Sequence, residues 1–167
     1  YVYALDVDVD GDVDVLSAGN QDDTIAWYEN DGQENFTKHI ISNNADFANS
    51  LYARDLDGDG DIDVLSASSI DNKLAWYEND GQENFTERVI STNYLGVRGV
   101  YAEDIDGDGD IDVLSAAGSD DTITWYENKM TCDEGFDCVG VCGGDNTSCA
   151  DCAGVPNGSN VEDMCGT

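Results

Sequence analysis

Fifteen aspartates fall into three runs in which a carboxylate occupies every second position: Asp6, Asp8, Asp10, Asp12 and Asp14; Asp55, Asp57, Asp59, Asp61 and Asp63; Asp104, Asp106, Asp108, Asp110 and Asp112. Carboxylates this crowded repel one another by roughly 3 kcal/mol per pair at ~5 Å and an effective dielectric near 20, so a compact loop needs a counter-cation. Calcium suits the donors, because it takes many oxygen ligands in flexible geometry, whereas zinc and copper favour the His and Cys that the runs lack. His39 is the single histidine. About three calcium ions are expected, one per run. The spacing matches the first half of an EF-hand loop, with carboxylates at the first, third and fifth positions and a glycine at the sixth (Gly11, Gly60, Gly109). Where that loop closes with Glu and enters a helix, these runs have Ser17, Ser66 and Ser115 followed by β-type sequence. The ninth residue, Asp14, Asp63 or Asp112, is left to close the cage. Val9 stands where the other runs have Gly58 and Gly107, so the first loop is expected to bind most weakly.

The elements that must present these loops repeat with them. Trp27, Trp76 and Trp125 recur at intervals of 49 residues, as do Tyr3, Tyr52 and Tyr101. A period of that size signals a propeller, a solenoid or a linear array. Within a copy, Val2–Leu5, Val13–Ala18, Thr24–Glu29 and Phe36–Ile41 are rich in Val, Ile, Thr, Trp and Tyr, with Asn-Asp-Gly marking a hairpin between the last two. Four strands per copy is the content of one propeller blade. The predicted fold is all-β: three four-stranded propeller-type blades (1–49, 50–98 and 99–128), the third incomplete because the expected last strand falls on Glu134–Val139, EGFDCV. A tryptophan at one position of every copy reads as blade-packing core; a sugar-stacking platform is the rival reading.

The net charge of -31, from 37 acidic against 6 basic residues, argues against nucleic acid or an anionic membrane as partner. A solvated, halophile-like surface is the bland account of that charge, and its concentration in three loops favours the cation. No apolar stretch is long enough to span a bilayer. An enzyme is disfavoured, since the chain has one histidine and its carboxylates look committed to metal.

All six cysteines, Cys132, Cys138, Cys142, Cys149, Cys152 and Cys165, lie in residues 129–167, a small Gly-rich tail with two similar units, DCVGVCGGDN and DCAGVPNGSN. The tail resembles the Cys-Gly-Asp repeats of secreted proteins. Disulfides and an extracellular location are expected; zinc is the rival, weakened by a lone CxxC at Cys149–Cys152 and no neighbouring His. Fifteen pairings of six cysteines remain open. Asn35, Asn84, Asn146 and Asn157 each begin a glycosylation sequon. The chain opens at Tyr1 within a strand pattern, so it reads as part of something longer.

The D-x-D-x-D-G-x-x-D loop set in a strand-rich repeat resembles the FG-GAP or VCBS repeat family, related to the propeller of integrin α-subunits. The resemblance covers residues 1 to about 128. It implies side-chain ligands at the first, third, fifth and ninth loop positions and a backbone carbonyl ligand at the seventh (Asp12, Asp61, Asp110). It also implies a structural or adhesive module, with a glycan- or protein-binding propeller face as the alternative. Three blades cannot close a ring. Open strand edges and uncovered blade faces therefore lead us to expect head-to-tail assembly with copies of itself or with neighbouring blades of a longer parent.

Overall fold

In the computed structural model, residues 1–128 are described and form one compact unit. Their eleven strands make three antiparallel sheets, and no helix occurs among the described residues. The first sheet runs β1 (Val2–Leu5), β2 (Asp14–Ala18), β3 (Ile25–Asn30), β4 (Phe36–Ser42). The second runs β5 (Ala48–Arg54), β6 (Asp63–Ser68), β7 (Lys73–Asn79), β8 (Phe85–Ser91). The third has three strands, β9 (Val97–Glu103), β10 (Asp112–Ala117) and β11 (Thr122–Tyr126). Each sheet is a simple meander, as short β-branched runs joined by tight turns require. Glu134–Val139 lies outside the described residues.

Period-two alternation gives every blade two apolar faces. One, here the Trp face, is built in the first blade from Tyr3, Leu16 and Trp27, which pair across β1, β2 and β3. The other, the Tyr face, carries Ala4, Val15 and Tyr28. The Trp face of the first blade packs on the Tyr face of the second, joining Leu16, Ile25 and Trp27 to Leu51, Val64 and Tyr77. The same arrangement recurs one blade on, where Leu65, Leu74 and Trp76 meet Val100, Val113 and Tyr126. Along the inner strands, Tyr3 lies 5.5 Å from Tyr52 and Tyr52 4.8 Å from Tyr101, ring centre to ring centre.

The core reading of the tryptophans holds in the first blade and fails in the third. Trp27 is 1% exposed and stacked on His39 at 4.7 Å. Trp76 is half-buried beneath Arg88, and Trp125 is 45% exposed. The exposure of Trp125 has a plain cause: the first two blades have a neighbour on the Trp face, and among the described residues the third has none.

Candidate functional site

Each acidic run forms the connection from the first to the second strand of its blade, residues 6–13, 55–62 and 104–111. Side chains of the run hold its backbone in place by accepting N–H bonds two residues on. Asp57 Oδ1 accepts from Asp59 N at 3.3 Å and Asp59 Oδ1 from Asp61 N at 2.9 Å. The first Asp grips the turn with both oxygens: Asp55 accepts from Gly58 N at 2.7 Å and from Gly60 N at 3.1 Å, and Asp104 repeats this with Gly107 and Gly109. Gly60 sits at φ +99, a region that favours glycine. In the first loop Val9 is forced to φ 60, and Asp6 Oδ1 takes the N–H of Asp10 instead. A β-branched residue with positive φ is strained, which supplies a structural reason for ranking this loop weakest.

The ninth residues do something different. Asp14, Asp63 and Asp112 are fully buried at the start of the second strands. Asp63 Oδ2 accepts from Leu56 N at 3.0 Å and its Oδ1 from Asn79 N at 2.8 Å; Asp14 bonds Val7 and Asn30, and Asp112 bonds Ile105 and Asn128, in the same way. Each carboxylate therefore ties its loop to the third strand or the residues just beyond it. The seventh residues lean elsewhere: a Cβ on Gly32 or Gly81 collides with the carboxylate of Asp12 or Asp61. That close approach explains the glycine of the Asn-Asp-Gly turn and aims those two side chains at the neighbouring hairpin.

In every loop three carboxylates converge, with one oxygen from each lying within 4.8 Å of the others: Asp6, Asp8 and Asp10; Asp55, Asp57 and Asp63; Asp104, Asp106 and Asp108. Two oxygens sharing a calcium at ~2.4 Å stand at most ~4.8 Å apart, a limit that every pair in these triads meets. None of the ion pairs found among the described residues reaches these triads. The donors are all oxygen; His39 is occupied with Glu29 at 2.7 Å. The set fits calcium, which would be held by these triads. The ion would neutralise the carboxylates and cross-link the loop.

Burial, together with the flanking carboxylates, holds Asp8, Asp57 and Asp106, the third residue of each loop, above the usual carboxylate range. Burial pushes Asp63 up to about 7, against the lowering effect of its two N–H bonds. A carboxyl raised on folding stabilises the fold below its unfolded pKa, near 4, and that stabilisation is lost as pH climbs through about 7. The calcium-free protein is therefore expected to be more stable near pH 5 than near pH 8, by ~2 kcal/mol after discounting for screening. With calcium the order should reverse, because the ion requires ionised ligands. Denaturant titrations at the two pH values check both signs; equal midpoints without calcium contradict the burial account.

Two recurrent sets of residues escaped the sequence reading. Asn30, Asn79 and Asn128 end the Trp-Tyr-Glu-Asn segments, and besides their backbone bonds they donate side-chain N–H groups to the loop carbonyls of Val13, Ile62 and Ile111 at 3.1–3.2 Å. Asn128 also reaches Leu56 O in the preceding blade's loop, at 3.1 Å. Asp23 and Asn72, both at positive φ, accept the N–H groups of Phe47 and Gly96 and so clasp the linker into the next blade. The repetition of these residues at the same interval was the available signal. Of the sequon residues, Asn35 and Asn84 are exposed, with Nδ2 donating to Asp31 and Asp80 at 2.8 and 2.9 Å. Asn146, Asn157 and the six cysteines lie outside the described residues.

The FG-GAP-like repeat model matches residues 6–66 and 55–115, two overlapping registers that each run from one acidic loop into the next. The chain belongs to the FG-GAP-like repeat family. Among curated proteins nothing matches this FG-GAP-like chain. A solved lectin from Agrocybe aegerita, which recognises non-reducing terminal N-acetylglucosamine, is similar in structure with a TM-score of 0.51 at 17% identity. The similarity covers 70% of this chain and 32% of the lectin, so these FG-GAP-like blades span about a third of it, and what is shared is the fold.

Proposed function

We propose that this chain is an extracellular structural or adhesive repeat module whose blades are rigidified by calcium, one ion per blade. The observation that carries the reading is the recurrence, in all three blades, of a carboxylate triad within 4.8 Å with no basic side chain paired to it among the described residues. Each triad sits on a loop whose backbone is already fixed by its own side chains, so little ordering remains to be done when an ion binds. The extracellular assignment rests on the cysteine-rich tail and on the free calcium that such sites need to stay filled.

A glycan- or protein-binding propeller face is the second reading, favoured by the exposed pair Tyr101 and Trp125. That pair flanks Leu114 on the Trp face, the surface the other two blades use for packing. Its position supports the structural role over the ligand-binding one. Melting the protein in calcium and in EDTA tests the proposal: a calcium-dependent rise supports it and an unchanged transition rejects it.

A further inference from the structure

The third blade carries the same Trp face as the other two, and no described residue covers it. Its residues Tyr101, Leu114 and Trp125 align across β9, β10 and β11, with Ala116 and Ile123 beside them. The equivalents of Ile123, which are Ile25 and Leu74, are fully buried by the next blade, whereas Ile123 itself is 81% exposed. Tyr101 is 46% exposed. Among the described residues, this is the interface already present twice, continued to a third position with one half present.

The other half lies at the opposite end, with Val2 and Ala4 exposed, Val15, Ser17 and Tyr28 half-buried and Ala26 buried in the single chain. The Tyr face of the first blade reads Val2, Ala4, Val15, Ser17, Ala26 and Tyr28. On the second blade, the face that covers Trp27 reads Leu51, Ala53, Val64, Ser66, Ala75 and Tyr77. The two differ only in Val2 for Leu51. Val2 is 71% exposed. We propose that the Trp face of the third blade docks the Tyr face of the first blade of a second copy, so that copies add head to tail. The contact is heterologous: its two halves are different surfaces, so copies add until the rotation closes a ring, or without limit where it does not close. The acidic charge opposes this association, and neutralised loops favour it, so calcium promotes assembly without contributing to the contact itself.

The test is sedimentation of the full chain in calcium over a range of concentrations. The unsubstituted chain is expected to gain mass beyond the monomer as concentration rises. Ile123→Asp and Val2→Asp should each hold the chain at monomer mass. Both positions are exposed in the single chain, so both variants should melt with the unsubstituted protein, which separates lost docking from lost folding. Mixed in equal amounts, the two variants should form a dimer and stop there, since Val2→Asp keeps an intact Trp face and Ile123→Asp an intact Tyr face. A monomer at every concentration overturns the proposal and gives the face to another occupant, residues 129–167 or a further blade. Growth of either variant equal to that of the unsubstituted chain, or failure of the mixture to pair, overturns it as well. The calcium-dependent shift in melting of the monomeric variants is read separately, so a failure of docking leaves the metal reading to its own test.

Discussion

Stripping calcium with EDTA is expected to lower the melting temperature by about 10–20 °C. At free calcium ten times Kd, each site contributes about 1.4 kcal/mol, and three independent sites supply ~4, a large share of the stability typical of one domain. For a unit of this size each kcal/mol moves the transition by roughly 3–5 °C. The effect should be large because removing the ion restores the repulsion among the carboxylates of every loop while leaving their backbone hydrogen bonds in place. Sodium chloride separates the ion from simple screening: salt relieves long-range surface repulsion but does not bridge oxygens within 4.8 Å of one another. A transition that salt restores in EDTA as fully as calcium does would make the runs an ordinary acidic surface.

Asp63→Ala is expected to cost about 3–5 kcal/mol in EDTA, because it leaves two backbone N–H groups without an acceptor in the interior, and more in calcium, where a triad ligand is lost as well. Asp63 is fully buried, and its two oxygens hold Leu56 at the loop and Asn79 at the end of β7. Persistence of the loss in EDTA is the informative part. A residue that served only as a ligand would have little effect once the ion is gone. Asp61→Ala makes the contrast, since Asp61 is only half-buried and its carboxylate faces the Gly81 turn; it should cost less than ~1 kcal/mol. Urea midpoints of the two variants measure the difference, and a loss below ~1 kcal/mol for Asp63→Ala would remove its role as the tie between loop and sheet.

Much of this architecture was legible in the sequence because it is written three times. A single acidic run is a weak signal, but one that returns every 49 residues in phase with Trp and Tyr marks both the blade and the loop. Strand boundaries came within a residue or so, since short β-branched runs bounded by Asp, Gly and Asn leave little freedom. The division of labour within each run was harder to see. The sequence reading made all five aspartates of a run ligands of one ion, yet the ninth is also a buried backbone acceptor and the seventh of the first two loops is turned toward a hairpin glycine. Those roles depend on Gly32, Gly81 and the Asn ending each Trp-Tyr-Glu-Asn segment, whose nearness in the first two blades follows from β3 and β7 folding back along β2 and β6. Trp125 was misread as core for a related reason. Repetition assigns a residue its face but does not say whether a neighbouring blade covers that face.

Calorimetric titration of calcium into EDTA-stripped, dialysed protein tests the central claim most directly. The account predicts saturable uptake of three ions per chain, one for each triad. The first loop should fill last, because Val9 holds a backbone conformation that costs a β-branched residue about 1 kcal/mol or more. Val9→Gly should therefore raise the affinity of the weakest step about fivefold and leave the other two where they were. Absence of saturable uptake, or uptake that Asp→Asn changes within the triads do not alter, would contradict the assignment of these loops as calcium sites.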